Sequence, residues 1–159
     1  MRNTKKCAAA WALSVLWMGV IFAMSAAPGD VSGEQSGMLT QIMLSVLRLL
    51  PGGLGERIAP DTLELLVRKG GHMAEYAVLF WLYRRALRLS GAKHPGMTAL
   101  AMCAAYAGTD EFHQSFVDGR GPAVTDVGID IAGACAAWAL IGMKESMQLV
   151  RINQKDALR

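Results

Sequence analysis

Long apolar runs separated by short, sharply polar breaks dominate the pattern along this chain. Residues 7–27 hold no ionisable side chain except the Cys7 thiol, and Pro28-Gly29 closes the run. As a helix rising about 1.5 Å per residue, that stretch spans about 31 Å, enough to cross a hydrocarbon core of about 30 Å. A second run lies between Gly70-Gly71 and Ser90-Gly91, a third starts at Pro95, and a fourth follows Gly119-Arg120-Gly121-Pro122. Read with their breakers, they predict four transmembrane helices at 7–27, 70–90, 95–115 and 123–143.

The connection over residues 28–69 is too long for a plain loop. Residues 37–50 are apolar around most of a helical circumference, with Gln41 and Arg48 as the clearest polar positions. That pattern predicts an amphipathic helix lying in the interface or packed on the bundle. Pro60-Asp61 followed by Glu64 reads as a capping box opening a short helix through Lys69, with Pro51-Gly52-Gly53 as the separator. The expected fold is all-α: a four-transmembrane-helix bundle with an outer amphipathic segment, in one integral membrane domain over residues 1–159.

Composition supports lipid over water. The chain is 53% hydrophobic and 18% charged, where a globular chain carries about a quarter charged residues. A soluble reading would make the later runs buried core helices, but the first run already demands a bilayer. A cleaved signal peptide is the other alternative for the N-terminus, with Arg2, Lys5 and Lys6 as its basic region and Ser25-Ala26-Ala27 as its cleavage site. The long apolar run and the later hydrophobic segments weigh against it.

Charge sets the orientation. With the N-terminus inside, 11 of 16 basic residues fall on inner segments, and residues 84–94 carry four bases and no acid. The positive-inside rule then puts both termini in the cytoplasm. Eleven of the 13 acidic residues fall on or near the outer side. Cys7, Cys103 and Cys135 show no metal-ligand spacing and read as small packing residues. A net charge of +3, with no basic patch interleaved by aromatics, gives no sign of a nucleic-acid partner.

Polar chemistry gathers at the outer helix ends. On the second span Lys69, His72 and Tyr76 stack on one face, with Glu75 on the neighbouring line. On the third, Asp110, His113 and Gln114 share a face, beside Glu111 and with Arg120 just beyond. The fourth begins with Asp126 and Asp130 one turn apart, and Gly128, Ala132 and Ala136 form a small-residue ridge. That ridge suits packing between spans three and four, or a homodimer. Counted from the inner breaks, Glu75, Asp110 and Asp130 all lie about 21–23 Å up their helices. Carboxylates at that depth are expensive, and they outnumber Lys69 and Arg120. Protonation, imidazolium from His72 or His113, or a bound cation must balance them. The set reads either as interhelical glue or as a functional site, and glue is a poor return at about 0.6 kcal/mol per bond in lipid. No closely spaced histidine pair marks a metal site, and no cofactor is specified.

At these residues the sequence resembles the VanZ-like family. The match runs through Lys69-Gly70-Gly71-His72-x-x-Glu75-Tyr76, then Asp110-Glu111-x-x-Gln114-x-Phe116-x-x-Gly119-Arg120. It continues with Asp126 and Asp130 followed by Gly133, and includes Ser25 and Pro28-Gly29. Asp118 stands where proline is common in the family and Asp130 where asparagine often appears. The resemblance implies a multi-pass protein of the bacterial cell (inner) membrane whose namesake is linked to teicoplanin resistance, and it implies no reaction.

Three functions compete. In the first, the outer cluster binds a membrane lipid headgroup, a lipid-linked cell-wall precursor or a lipoglycopeptide, in an envelope or antibiotic-resistance role. Lys69 and Arg120 would then meet phosphate or carboxylate. In the second, Glu75, Asp110 or His113 is acid or base of an intramembrane enzyme acting on a lipid-linked substrate, with or without a metal. The third is a proton-coupled carrier or flippase.

Overall fold

A computed structural model of the chain describes residues 4–49, 51, 53–121 and 123–157. Arg2, Leu50, Gly52, Pro122 and Arg159, used in the charge count and the predicted breaks, lie outside the described residues. The elements are α1 (Thr4–Ser25), α2 (Gly29–Leu49), α3 (Leu54–Arg57), α4 (Pro60–Ser90), α5 (Pro95–Gln114) and α6 (Val124–Ala157). The fold is all-helical, with no strand among the described residues. Two segments, Thr4–Ser25 and Val124–Lys155, are long and apolar enough to cross a membrane.

Helices α1 and α5 fall close to the predicted spans, but four expectations need correction. Gly70-Gly71 does not begin a helix: α4 runs unbroken for 31 residues from Pro60, so the short helix and the second span are one rod. Asp61 and Glu64 form no capping box. Ala59 is the N-cap, without a side-chain hydrogen bond, and Pro60 opens the first turn, where its missing N–H costs nothing. Helix α2 begins at Gly29, eight residues before the predicted amphipathic segment, and packs against α4. Helix α6 continues past residue 143 to Ala157. No glycine or proline after Gly142 interrupts it.

The small-residue ridge is also misassigned to packing between spans three and four. Gly128, Ala132 and Ala136 are exposed, and a Cβ on Gly128 would touch nothing. Closest approach instead occurs at Gly133, where a Cβ would run into the backbone of Met73 on α4. The buried core lies among α1, α4, α5 and α6, built from Ile21, Tyr76, Leu79, Phe80, Tyr83, Cys103, Ala107 and Ala134. Small side chains on α5 (Ala99, Cys103, Ala107) let the aromatic face of α4 come close.

Polarity is partly inverted. Helix α2 buries Ser36 and Thr40, and exposes Met38, Leu39, Ile42, Met43, Val46 and Leu49. Helix α1 buries Ser14 and Ser25 and exposes Leu13, Val15, Leu16, Phe22 and Met24. The buried hydroxyls are satisfied locally: Ser14 Oγ donates to the Ala10 carbonyl at 3.0 Å and Thr40 Oγ1 to the Ser36 carbonyl at 2.8 Å.

The two ends of the bundle are tied differently. At the end near Ser90, Gly91 takes the left-handed conformation (φ 77°) and Ala92 N–H donates back to the Leu87 carbonyl, stopping α4. There Arg84 Nη2 donates to both oxygens of Glu145 at 2.9 Å, and Arg88 Nη1 donates to Oε1 at 3.1 Å. The hydrogen bond from Arg84 holds the Glu145 carboxyl below the ordinary glutamate range. A lowered folded-state pKa gives stability that is fully present above the unfolded value and is lost as pH falls through the folded one. Because Glu145 is 44% exposed, the contribution is below about 1 kcal/mol. Melting of detergent-solubilised protein from neutral to acid pH should therefore show a small acid-side loss that Glu145→Gln removes.

Candidate functional site

The opposite end of the bundle carries the cluster. From α4, Lys69 and His72 turn toward α6, one helical step apart. Lys69 Nζ meets Asp126 Oδ1 at 2.9 Å, and His72 Nδ1 lies 3.5 Å from Asp130 Oδ1. The second pair is at ion-pair distance but outside hydrogen-bond geometry: neither atom has a hydrogen-bond partner among the described residues. It is attractive when His72 is protonated. The i, i+3 step on α4 matches the i, i+4 step on α6, so one register aligns both pairs.

Helix α5 faces α1. Gln114 Nε2 donates to Ser25 Oγ at 2.8 Å and to Asp110 Oδ2 at 3.1 Å. Asp110 is 3% exposed, and its Oδ1 has no hydrogen-bond partner among the described residues. Glu75 lies within electrostatic reach of His72, Asp130, Asp110 and Arg120. The carboxylates of three helices thus meet in one region, with Tyr76 beneath them, fully buried and its hydroxyl without a partner among the described residues.

Backbone contacts hold the turn that carries Arg120. Gly119 sits at φ 73°, Arg120 N–H donates to the Val117 carbonyl at 3.1 Å, and Gly29 N–H donates to the Asp118 carbonyl at 3.1 Å. A Cβ on Gly29 would strike the Gly119 carbonyl, so the start of α2 and this turn need each other's bare backbone. Asp118 closes the turn through its main chain, with the side chain exposed. Glu111 Oε1 accepts from Ala123 N–H just before α6, joining the end of α5 to the start of α6.

A cavity of about 170 Å³ opens inside this frame. Its polar wall comprises Arg68, His72, Glu75, Asp110 and Arg120, with Ser32, Gln35 and Ser36 from α2 opposite. Met24, Leu39 and Val67 line its apolar side. A second recess of about 360 Å³ shares Ser32, Arg68, His72 and Arg120, and adds Lys69, Gln114 and Asp126. Of the sequence-derived residues, Lys69, His72, Glu75, Asp110, Gln114, Arg120 and Asp126 therefore border open space. Asp130 and Tyr76 lie behind it, Glu111 serves the turn, and His113 stands apart with its ring against Phe22 at 4.2 Å.

Sequence reasoning did not single out Arg68 or the polar stripe of α2. The spacing of Ser32, Gln35 and Ser36, at i, i+3 and i+4 on one face, was the available signal. Among the described residues, no three His, Cys, Asp or Glu side chains converge as a metal-holding group.

No curated protein and no solved structure gives a match to the chain. The family model described as VanZ/LLP1 matches residues 10–145. That stretch includes α2, α3, α4, α5 and the Arg120 turn, and most of α1 and α6. The chain therefore belongs to the VanZ/LLP1 family.

Proposed function

We propose that this is a four-span protein of the bacterial cell membrane whose outer-end cavity binds the phosphate-bearing head of a lipid or lipid-linked cell-wall precursor. Helices α1, α5 and the first part of α6, with residues 70–90 of α4, would cross the bilayer, both termini in the cytoplasm. The exposed apolar faces of α1 and α2 support lipid contact, because each turns serines inward and leucines, valines or methionines outward. The four bases of residues 84–94 support the orientation.

One observation carries the ligand class. Arg68 and Arg120 line the same cavity, and neither has an ion-pair partner among the described residues. A planar guanidinium with unused donors matches phosphate bidentately, and beside low-dielectric walls such bonds are about twice as strong as neutral ones. A lipoglycopeptide carboxylate would meet the same donors, which keeps an antibiotic-resistance role within this reading.

Native mass spectrometry of the detergent-purified protein tests it. The wild type should retain a phospholipid or precursor adduct, and Arg120→Ala and the Arg68→Ala/Arg120→Ala double variant should lose it stepwise. Equal adducts in all three would sink the proposal.

The His72–Asp130 pair supports a second reading, an acid–base site acting on a lipid-linked substrate. Product release from such a substrate, abolished by Asp130→Asn with the fold intact, would favour it. A carrier has less support. Beneath Tyr76 the described core is packed with Leu79, Phe80, Tyr83 and Cys103, which offers no polar path between the two ends.

A further inference from the structure

The cavity is lined by opposite charges that do not neutralise one another. Arg68, His72 and Glu75 follow one face of α4, since seven residues make nearly two full turns. Arg120 reaches the same space from the turn, and Asp110 from α5. Glu75 feels the charge of Arg120, yet the two form no ion pair among the described residues. Asp110 also lines the cavity; it is nine-tenths buried, and its Oδ1 has no hydrogen-bond partner among the described residues. Two guanidiniums and two carboxylates thus face one space from separate positions.

Size narrows the occupant. At about 170 Å³ the space that holds Glu75 and Asp110 falls below the roughly 300–1,000 Å³ typical of drug-sized ligands, so it suits a small head; the adjoining recess of about 360 Å³ shares Arg68 and Arg120 but neither of these carboxylates. Gly71 lines the smaller space as well, and a Cβ there would meet nothing within 4 Å. The glycine keeps that space free. Met24, Leu39 and Val67 continue the wall as apolar surface, with Met24 and Leu39 also open to the outside of the bundle.

We infer that the ligand is a small zwitterionic phospholipid bearing a primary amine, of the phosphatidylethanolamine class. Its phosphate lies between Arg68 and Arg120, its ammonium against Glu75 and Asp110, and its chains leave past Met24 and Leu39. The inference rests on the phosphate-head reading above and adds the second charge. A primary ammonium supplies three N–H donors to carboxylates; a quaternary ammonium supplies none, and a glycerol head has no charge to offer.

The test is a headgroup series on the full-length protein in detergent micelles. Dihexanoyl phosphatidylethanolamine, phosphatidylcholine and phosphatidylglycerol, and free phosphoethanolamine, are titrated and read by native mass spectrometry. Wild type should favour phosphatidylethanolamine over the other two lipids by at least about tenfold, the scale of one charge-assisted hydrogen bond, and should bind free phosphoethanolamine more weakly still. Glu75→Gln should erase the preference while keeping phosphatidylglycerol binding. Gly71→Leu, which fills the cavity without altering a charge, should remove binding of every lipid.

Phosphatidylglycerol bound as tightly as phosphatidylethanolamine by wild type, with Gly71→Leu still blocking both, would overturn the zwitterion and leave the phosphate reading standing. Lipid binding unaffected by Gly71→Leu would overturn both. Free phosphoethanolamine bound as tightly as the lipid would overturn the lipid as source. The wild-type series decides the first point even if Glu75→Gln fails to fold.

Discussion

Gly133→Val is expected to prevent assembly of the bundle, and the loss should be the largest of any single substitution along α6. A Cβ at this position meets the Cα, carbonyl carbon and oxygen of Met73, so it would strike backbone that cannot swing aside. Relief would require α4 and α6 to separate. That separation is opposed on one side by Lys69–Asp126 at 2.9 Å and on the other by Arg84–Glu145 at 2.9 Å. Overpacking a tight core costs about 1–3 kcal/mol where side chains can yield. Rigid backbone should push this one to about 3 kcal/mol or beyond, in the range of the most damaging core changes. Gly128→Val is the control, because a Cβ there meets nothing. Fluorescence-detected size exclusion with thermal challenge should show a monodisperse peak for Gly128→Val and an aggregated or absent one for Gly133→Val. A wild-type melting profile for Gly133→Val would mean that α4 and α6 do not meet as described.

Arg120→Glu should abolish phosphate-head binding while leaving the bundle assembled. The guanidinium makes no ion pair among the described residues, and the turn is held through the Gly119, Val117 and Asp118 backbone. Removing the side chain therefore breaks no hydrogen bond or ion pair, although Glu75 loses a nearby positive charge. Reversing its charge sets a third carboxylate beside Glu75 and Asp110 on the cavity wall and repels an incoming phosphate. Loss of one buried charge-assisted contact costs about 2–5 kcal/mol, so affinity should fall at least about thirtyfold. Lipid titration, read alongside the melting temperature, separates the two effects. Retained affinity at an unchanged melting temperature would remove Arg120 from the site, and with it the strongest argument for a phosphate.

Helix existence was more legible in the sequence than helix extent. Pro28 and Pro95 punctuate the chain where α1 ends and α5 begins, because proline fixes φ and lacks an N–H. Gly70-Gly71 misled for the opposite reason. Each glycine costs a helix about 1 kcal/mol relative to alanine, but the packing of α2 on the first part of α4 and of α6 on the rest outweighs that cost. One of the pair, Gly71, borders the cavity, where absence of a side chain is the useful property. Lys144 and Glu145 resembled the end of α6, yet Glu145 is gripped by two arginines of α4 and the helix continues.

The candidate site divided along the same line. Glu75 and Asp110 could be measured from breaks at Ser90 and Pro95 that are true helix ends, so a similar height was expected from helix rise, whereas Asp130 was measured from Lys144, where α6 does not end. The contribution of α2 could not be read in this way. In water, a stripe of Ser32, Gln35 and Ser36 reads as the solvated face, with the methionines and leucines turned inward. Here Ser36 and Thr40 are buried and the apolar face is open, which only tertiary packing or a lipid environment decides. Arg68 fell at the end of the expected short helix through Lys69, so the break that split α4 hid that it shares a face with His72 and Glu75.

Labelling of single cysteines tests the central claim, that the charged cavity opens on the outer side of a four-span bundle. With Cys7, Cys103 and Cys135 replaced by alanine, Gly121→Cys beside the cavity mouth and Lys93→Cys in the basic loop are each exposed to a membrane-impermeant maleimide. Both positions are at the protein surface. Labelling of position 121 in intact cells, with position 93 reacting only after permeabilisation, is the predicted result. Reaction of position 93 in intact cells, or of both positions from the same side, would contradict the account.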